Sequence, residues 1–321
     1  MSDDLLEAAR GGDADAFRAL VEGYRRELHA HCYRLLGSLD DADDAVQETL
    51  LAAWRGLDAF EGRSSLRTWL YRIATTRCLN LIRSAGRRPR VTPLSPFDAP
   101  TPSGSFDSPW LQPYPDALID DVDPAQRAVA REGVELAFVA ALQTLPPRQA
   151  AALVLCDVLE FSVAEAAEAL GSGPTAVKGL LQRARAVLPA RGPTPTGDAV
   201  DRTARRFAEA FEHDDVETVV SMLTDSAWLA MPPALQRYDG PDAVARFLRA
   251  SASGRPGGRY TLVPVRAGGH AAFGCYLAGA ARGLVVVLPA ADGQRIAGLL
   301  RFLDDDLHRR FGLPDRIDVA R

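Results

Sequence analysis

The segment FSVAEAAEALGSGPTAVKGLLQRARAVL, residues 161–188, decides the fold of the central part of this chain. It predicts a helix from Phe161 to Leu170, which ends where Gly171 follows. The next residues predict a tight turn and a new helix, with Ser172 as its cap and Pro174 in its first turn. Two helices joined in this way form a helix-turn-helix, and the helical pattern extends upstream to residue 125.

The second helix of this pair carries side chains that suit contact with DNA. In a helix-turn-helix, residues early on the second helix reach base edges in the major groove. Thr175, Lys178 and Gln182 share one face of the predicted helix, at three- and four-residue steps. Arg183 and Arg185 follow them and are the expected contacts to the phosphate backbone.

A second run of helices is predicted from residue 5 to residue 83. The stretch from Asp13 to Gly37 places apolar residues at three- and four-residue steps, and Gly37 is the predicted stop. Asp40 is the expected cap of the next helix, and Ser64 or Ser65 is the expected cap of a third. The N-terminal part of the chain is therefore predicted to be all-helical.

Charge is distributed unevenly over this helical stretch. The chain has a net charge of -5, which argues against a protein that coats nucleic acid indiscriminately. Residues 1–61 carry fourteen acidic residues against six arginines, whereas residues 62–97 carry eight arginines and no acidic residue. An acidic block beside a basic block predicts one face for a protein partner and another for a phosphate backbone.

The helix predicted over DADDAVQETLLAAW, residues 41–54, has one apolar side. Asp43, Asp44, Gln47 and Glu48 fall on or near the opposite side, while Val46 belongs to the apolar side. Taken alone, such a face is an ordinary solvated helix surface. Its position beside the arginine-rich stretch makes a protein-docking surface the sharper hypothesis.

The stretch GRSSLRTWLYRIATTRCLNLIRS, residues 62–84, combines arginines with Trp69, Tyr71 and Asn80 on one predicted helix. Arginine neutralises phosphate, and aromatic surfaces stack on unpaired bases. The composition therefore suits single-stranded or melting DNA. Some of these aromatic side chains must also serve as core, and Trp69 is a candidate for either role.

The rest of the chain is predicted to form linkers and a third domain. Residues 84–124 are rich in Pro, Ser, Asp and Gly, and a second Pro-containing linker runs over residues 190–197. Helices are predicted at 199–223 and 243–250, and strands at 260–265, 271–278, 284–289 and 294–303. Two helices followed by a curved antiparallel sheet predict an α+β cone.

Several classes of protein are disfavoured. The acidic N-terminus lacks a long apolar run, so we expect neither a signal peptide nor a membrane anchor and place the protein in the cytoplasm. The four cysteines, Cys32, Cys78, Cys156 and Cys275, are scattered without a CxxC pair or clustered histidines. We therefore expect reduced thiols, no metal site and no cofactor.

The order of these features resembles the extracytoplasmic-function (ECF) group of the sigma-70 family, which retains two sigma domains. DADDAVQET, from Asp41, resembles region 2.2, which binds the clamp helices of RNA polymerase core. The resemblance implies a polymerase-binding surface made of Asp43, Asp44, Val46, Gln47 and Glu48.

Two further stretches carry this resemblance. SSLRTWLYRIATTRCLNLIR, residues 64–83, resembles regions 2.3 and 2.4, which open and read the minus-10 element. Residues 142–188, which contain the helix-turn-helix, resemble region 4, which implies that the face with Thr175, Lys178, Gln182, Arg183 and Arg185 reads the minus-35 element. The implied contacts to the minus-10 element are Arg63, Arg67, Trp69, Arg72, Arg77, Asn80 and Arg83.

The third domain resembles the SnoaL-like, NTF2-type domain appended to a subset of these sigma factors. The match includes Trp228 to Met231, Pro232-Pro233, Tyr238-Asp239-Gly240, Ala243 to Leu248 and the end Phe302 to Pro314. Such cones carry an apolar pocket, here implied to be Trp228, Met231, Tyr238 and Phe273 with a small apolar ligand. The terminal Phe311, Gly312, Leu313 and Pro314 are a further implied regulatory contact, or they only seal the mouth of the cone.

The resemblance implies a multidomain fold with two all-α sigma domains, the second a helix-turn-helix, followed by an α+β NTF2-like cone. The expected boundaries are 1–85 for the first sigma domain, 86–124 for a linker, 125–190 for the second, 191–198 for a linker and 199–321 for the cone. The strand stretch GLVVVLPA offers no carboxylate or histidine for catalysis, so we expect no enzyme.

The leading hypothesis is therefore a promoter-specificity factor that binds polymerase core and promoter DNA, with a cone that modulates it. An anti-sigma factor is a further possible partner, and no membrane insertion is expected. Two other classes stay open: a protein whose cone is a small-molecule enzyme, and a one-component repressor that binds DNA without polymerase. The acidic face at residues 43–48 discriminates, since a repressor needs no docking face beside a melting helix.

Overall fold

The computed structural model describes residues 2–62, 64–84, 98–108, 110–120, 133–188, 195–255 and 258–318. The chain divides into two compact units. The first unit combines residues 1–88 with 121–190, and the second combines residues 89–120 with 191–321. The described residues 98–120, which composition predicts as part of a linker, thus belong with the C-terminal domain. None of the described helices combines the length and apolar character that crossing a membrane requires.

The N-terminal part of the first unit is helical, as predicted. Asp13 caps the second helix by accepting hydrogen bonds from the backbone of Asp15 and Ala16, and Gly37 ends it in the left-handed conformation with φ of 73°. The helices of this part are α1 (Ser2–Arg10), α2 (Ala14–Leu36), α3 (Leu39–Gly56) and α4 (Leu66–Ser84).

The caps of α3 and α4 refine the sequence predictions. The prediction of Asp40 as the cap of α3 is wrong, because Ser38 accepts the backbone N–H of Asp41 and the helix starts two residues earlier. Of the two serines proposed for α4, Ser65 is the cap, since its hydroxyl accepts the backbone N–H of Thr68 at 3.0 Å. A serine oxygen that lies closer to the first free N–H groups is preferred over a carboxylate already inside the helix.

The helix-turn-helix is present in the second part of this unit. Ser162 and Glu165 form a reciprocal capping box at the start of its first helix, and Gly171 has φ of 55° in the turn. The predicted cap Ser172 is wrong by one residue, because Gly173 is the cap and Pro174 opens the helix. The elements are α5 (Leu136–Gln143), α6 (Pro147–Leu153), a π-helical turn (Val154–Val158), α7 (Val163–Ala169) and α8 (Pro174–Val187).

A buried arginine joins the two helical parts of the first unit. Arg34 at the end of α2 is 2% exposed, and its Nε donates to the carbonyl oxygen of Gly133 at 3.1 Å. A methyl group added at residue 133 would meet this guanidinium, which would have to shift to make room for it. Gln143 of α5 donates to the carbonyl oxygen of Arg34 at 3.2 Å. The N-terminal helices and the helix-turn-helix therefore pack together in one compact unit.

The second unit is built on one mixed sheet. In the described residues its strands follow the order β1-β3-β2-β7-β6-β5-β4, with the β2–β7 pair parallel and the others antiparallel. The strands are β1 (Gly104–Ser105), β2 (Leu223–Ala230), β3 (Gln236–Asp239), β4 (Tyr260–Ala267), β5 (His270–Leu277), β6 (Ala280–Pro289) and β7 (Ile296–Phe302).

Three helices cover one face of this sheet. They are α9 (Asp198–Glu212), α10 (Val216–Ser221) and α11 (Pro241–Ser253). Phe207 of α9 and Phe247 of α11 pack with Phe273 of β5 and Leu299 of β7 in one buried cluster. Burial of each such side chain contributes about 1.5–3 kcal/mol, so this face supplies the core of the unit.

The predicted elements of the C-terminal domain are partly correct. The four predicted strands correspond to β4, β5, β6 and β7, whereas β1, β2 and β3 were not predicted. The single helix expected at 199–223 is wrong, because the helix ends at Glu212 and Asp214 adopts a positive φ of 56° before α10 starts. Residues 216–223 include many apolar and β-branched side chains, so their pattern fits both the 3.6-residue repeat of a helix and the two-residue repeat of a strand. This ambiguity explains the error.

One buried histidine makes the stability of the first unit sensitive to pH. His31 of α2 is fully buried, and its Nε2 lies 2.9 Å from Oγ1 of Thr75 on α4. Burial, and then the nearby charges of Arg34 and Arg67, lowers the pKa of His31 from 6.5 to about 3. The folded state therefore holds this histidine neutral, whereas the unfolded state takes up a proton below pH 6.5.

We expect the free energy of unfolding to fall as the pH decreases from about 6.5 toward about 3. The contribution of His31 to the slope is at most about 1.4 kcal/mol per pH unit. His31→Gln keeps a polar side chain near Thr75 but removes the proton uptake, so it should flatten the profile. Urea unfolding between pH 7 and pH 5 measures this, with exposed His213→Gln as the matched control. Equal slopes for wild type and His31→Gln would contradict the assignment.

Candidate polymerase and nucleic-acid interface

The acidic face predicted on α3 is present on the surface. Asp43, Asp44, Gln47 and Glu48 are exposed, whereas Val46 is buried and 7% exposed. Four of the five predicted docking residues thus share a surface, and Val46 instead anchors the helix to the core. Sequence periodicity separates these two sets correctly, because the exposed and buried residues alternate with a helical repeat.

Two members of this face have close partners on neighbouring helices. Oδ1 of Asp43 lies 3.2 Å from Nε2 of His29, and Oε2 of Glu48 lies 3.8 Å from a guanidinium nitrogen of Arg77 on α4. The Glu48–Arg77 pair brings the acidic face of α3 next to the basic surface of α4. An exposed pair such as Glu48–Arg77 is worth about 1 kcal/mol or less, so these two side chains can exchange partners at little cost.

The basic surface of α4 includes most of the predicted contacts to melting DNA. Arg72, Asn80 and Arg83 are exposed, and Arg77 is half-buried beside Glu48. Arg63 lies outside the described residues. The exposed positions recur along one side of α4, which is the arrangement that a backbone-tracking surface requires.

Trp69 has a partly structural role. Its side chain is half-buried, and its ring lies 5.0 Å from the ring of Phe60 with an interplanar angle of 39°. It packs against a small cluster that contains Ala9 and Leu57. The exposed part of the Trp69 ring is available to stack on an unpaired base.

Arg67 lies in an aromatic seam that joins α4 to the helix-turn-helix. Its guanidinium carbon is 5.0 Å from the ring centroid of Tyr71 and 4.7 Å from that of Phe161, and these two rings are 5.1 Å apart. Glu27 accepts hydrogen bonds from Arg67 at 3.2 Å and from the Tyr71 hydroxyl at 3.0 Å. Burial, reinforced by Glu27, raises the pKa of Tyr71. Arg67 is therefore engaged within the unit, unlike Arg72.

The predicted reading face of α8 is fully exposed. Thr175, Lys178 and Gln182 point away from the core, while Val177 and Leu181 are buried on the opposite side. The sequence prediction of this face therefore agrees with the burial pattern. Three polar side chains on the exposed side of a second helix fit the geometry by which such helices reach base edges.

Arg183 and Arg185, which follow on α8, differ in the contacts that their guanidinium groups make. Arg183 is exposed, and its guanidinium lies close to Gly179, where a methyl group would stand 3.4 Å from Nη1. Arg185 donates two hydrogen bonds to Asp157, at 2.9 and 2.6 Å. The Asp157 carboxylate raises the pKa of Arg185, so the guanidinium stays charged. Arg183 is the more available of the two for a phosphate.

The residues predicted to line an apolar pocket fall on two faces of the C-terminal sheet. Met231, Tyr238 and Phe273 belong to the buried core between the sheet and the helices. Trp228 does not share that cluster; it lies over Gly298, where a methyl group would stand 2.9 Å from its ring. Since neighbouring strand residues alternate between faces and Leu229 is in the core, Trp228 faces the opposite side.

A small cavity is found elsewhere in this domain, at the ends of α9 and α11. It encloses about 20 Å³, which is room for one water molecule. Phe211, Val216 and Leu248 supply apolar walls, and Arg255 and Asp214 line it as an ion pair. The predicted ligand residues do not line this cavity.

The predicted regulatory residues at the C-terminus pack on their own domain. The side chain of Leu313 occupies the space beside Gly274 of β5, and the hydroxyl of Tyr276 donates to the carbonyl oxygen of Pro314 at 2.7 Å. Phe311 and Leu313 are half-buried, whereas Gly312 and Pro314 are exposed. This segment follows a helical turn at Leu307–Arg310 and covers part of the face of β5 that lies away from the helices.

Sequence reasoning missed the residues that connect these surfaces. Glu27 and Phe161 complete the seam around Arg67, and Phe106 packs on Trp228 with 6.2 Å between ring centroids. The sequence does indicate a role for Phe161, because an aromatic residue directly before a capped helix typically makes a packing contact at the helix start. No local pattern marks Glu27 or Phe106 as partners of residues far away in sequence.

An exposed reading face on a helix-turn-helix, together with an arginine-lined helix beside it, defines a DNA-binding protein. Comparison with known families matches sigma-70 region 2 to residues 20–88, sigma-70 region 4 to residues 135–188 and the SnoaL-like domain to residues 204–308. The chain belongs to the family of ECF RNA polymerase sigma factors, with a SnoaL-like domain at its C-terminal end.

The similar proteins support this membership over nearly the whole chain. The ECF RNA polymerase sigma factor SigG of Mycobacterium tuberculosis is 41% identical, covering 96% of this chain and 86% of the relative. SigJ of the same species is 31% identical, covering 71% of this chain and 70% of the relative. The crystal structure of Mycobacterium tuberculosis SigJ aligns with a TM-score of 0.59 at 23% identity, over 92% of this chain and 99% of that structure, and shares the fold.

Proposed function

We propose that this protein binds RNA polymerase core in the cytoplasm and directs it to a specific set of promoters. The exposed residues of α3 dock on the core enzyme, α4 opens and holds the minus-10 element, and α8 reads the minus-35 element. The polymerase performs the chemistry, and this chain supplies sequence selection. The assignment of single residues to these roles is part of the proposal.

The observation that carries the proposal is the adjacency of an acidic and a basic helix face in the unit that holds the helix-turn-helix. Asp44 and Glu48 are exposed on α3, and Arg77 of α4 lies 3.8 Å from Glu48. A repressor that acts without polymerase has no use for an acidic docking face beside a DNA-melting helix. The same adjacency favours a sigma factor over the alternative of a one-component repressor.

The C-terminal domain is proposed to regulate this activity rather than to catalyse a reaction. Membership of a sigma factor family indicates a non-enzymatic regulator. Within the described residues, the buried cluster between the sheet and the helices consists of apolar, tyrosine and cysteine side chains. Burial raises the pKa of its two buried ionisable side chains, Tyr238 and Cys275, so both stay protonated and neither is prepared to act as a general base. A small apolar ligand and an anti-sigma factor remain proposed partners of the chain.

Charge reversal on α3 should weaken binding to polymerase core. Asp44→Lys with Glu48→Lys replaces two exposed carboxylates and leaves the buried side of the helix intact, so the protein should stay folded. We expect at least tenfold weaker capture of core enzyme in a pull-down. Asp15→Lys with Glu22→Lys, two exposed changes on α2 that alter the net charge by the same amount, is the matched control. Wild-type capture by the double variant would remove the docking assignment.

Substitutions on α8 and α4 should affect different promoter elements. Lys178→Ala and Gln182→Ala should weaken binding to the minus-35 element, with about 1–3 kcal/mol for any base-specific contact. Arg72→Ala and Arg77→Ala should instead reduce opening at the minus-10 element. Binding to duplex promoter fragments and permanganate footprints separate the two effects.

The control for α8 is Val187→Ala, because this side chain is 61% exposed at the end of the helix and carries no polar group. Unchanged permanganate reactivity in both arginine variants would exclude α4 as the melting helix. If every variant lost minus-35 binding and minus-10 opening to the same extent, the variants would be misfolded, and the two helices would not have been shown to act on different elements.

The regulatory contact at Phe311 to Pro314 stays a prediction and can be tested by truncation. Removal of residues 308–321 would uncover Tyr276 and the space beside Gly274, because Leu313 and Pro314 supply those contacts. We expect transcript from a mapped promoter to change at least threefold. Removal of residues 319–321 alone keeps those contacts and serves as control. Equal transcript from both truncations and the full chain would leave the segment without a regulatory role.

A further inference from the structure

The helix proposed to read the minus-35 element carries the only lysine of the chain. This residue is Lys178 on α8, and all the other members of the 37 Lys and Arg residues are arginines. An arginine guanidinium stays protonated in proteins, whereas a lysine ammonium can lose its proton and act as a nucleophile. The chain therefore has a single side-chain amine that an acyl group can modify, and this amine lies on the proposed reading face.

The surroundings of Lys178 leave its side chain open to a small reagent. The residue is exposed, whereas Val177 before it is buried on the other side of α8. Gly179 follows Lys178 and adds no side chain. Apart from its chain neighbours and the helix backbone, only guanidinium atoms of Arg183 lie within 4 Å of the position that a Cβ at Gly179 would take. Within the described residues, this part of the helix surface is therefore uncovered.

No carboxylate on α8 neutralises Lys178. The helix runs from Pro174 to Val187 without an acidic residue. The nearby carboxylate of Asp157 accepts two hydrogen bonds from Arg185, at 2.9 and 2.6 Å. Arg183 is exposed on the same helix and adds a second cation beside Gly179. A small, negatively charged reagent is attracted to this surface for the same reason that a DNA phosphate is.

Acylation would remove both properties by which Lys178 can contact DNA. A protonated lysine neutralises a phosphate, or it donates hydrogen bonds to O6 and N7 of guanine. The amide that acylation produces is uncharged, and only one N–H donor remains on its nitrogen. Arg183 and Arg185 cannot be modified in this way and keep their charge. The modification therefore changes one position of the reading face.

We propose that Lys178 is an acylation site, and that its reaction with an acyl phosphate weakens recognition of the minus-35 element. The neutral Nζ attacks the carbonyl carbon of the acyl phosphate and forms the amide bond. The bond from that carbon to the phosphate oxygen breaks, phosphate leaves with the electron pair, and the amine proton passes to water. No group is oxidised or reduced. The proposal rests on the proposed function of α8 and identifies how that surface is regulated.

Treatment of the purified full-length chain with acetyl phosphate tests this proposal. Peptide mass spectrometry should find acetyl groups on Lys178 and on the α-amino group of the chain. After the reagent is removed, the chain is assembled with untreated core polymerase. We expect this complex to bind a mapped promoter fragment at least fivefold more weakly than the complex with untreated chain.

Two results of this experiment would overturn the proposal. In the first, Lys178 stays unmodified while the α-amino group is fully acetylated, which would show that the lysine amine is not accessible. In the second, Lys178 is fully acetylated but the affinity for the promoter is unchanged, which would show that the modification does not affect recognition.

The control is Lys178→Arg, which keeps a cation at this position and removes the amine. This variant is compared with its own untreated sample, and treatment should leave its affinity unchanged. A loss equal to that of the wild type would assign the effect to another group and overturn the proposal. If the untreated wild-type complex does not distinguish the promoter from one with a scrambled minus-35 element, the proposed function of α8 fails instead. The two failures are therefore distinguishable.

Protection by DNA tests the position of the amine without relying on affinity. In the complex of the chain, core polymerase and the promoter, DNA should cover the reading face of α8. We expect acetylation of Lys178 to become at least threefold slower, with the α-amino group as the internal standard. Equal rates with and without promoter DNA would place Lys178 outside the interface and overturn the proposal.

Discussion

Backbone hydrogen bonding at the two edges of the C-terminal sheet is the constraint on which the second unit depends. An exposed edge strand presents unpaired N–H and C=O groups that proteins pair or cover. In this chain residues 104–106 pair along β3, and residues 114–116 bind the end of β4 and the turn after it. One segment from the middle of the chain therefore completes both edges of the sheet, which is why it belongs to the second unit.

A second coupling operates inside the helical unit. The seam of Tyr71, Arg67 and Phe161 and the buried Arg34–Gly133 hydrogen bond hold the N-terminal helices against the helix-turn-helix. Under the proposed function, these contacts must break when the chain binds the minus-10 and minus-35 elements at the same time. The two elements are farther apart than two helices that pack against each other. Arg67 is then released from Phe161 as the domains separate. The same side chain thus contributes to the packed unit and to the basic surface of α4.

Much of the fold was predictable from local patterns, and the long-range contacts were not. Gly37, Pro174 and the exposed Thr175, Lys178 and Gln182 follow from helical periodicity and from the preferences of helix ends. The caps Ser38 and Gly173 were missed by one or two residues, because several polar residues compete for the same N–H groups. Trp228 was grouped with the core residues Met231 and Tyr238, because β2 was not recognised as a strand and the alternation of its faces was therefore undefined. Phe106 pairs with residues more than one hundred positions away, which no local signal reports.

The central claim is that this chain selects promoters for RNA polymerase. Transcription of genomic fragments by purified core polymerase, with the 5′ ends of all transcripts mapped, tests it most directly. With the full chain added, we expect new starts that share two sequence elements about 25 base pairs apart, at positions where core enzyme alone does not initiate. An identical set of starts with and without the chain would contradict the account.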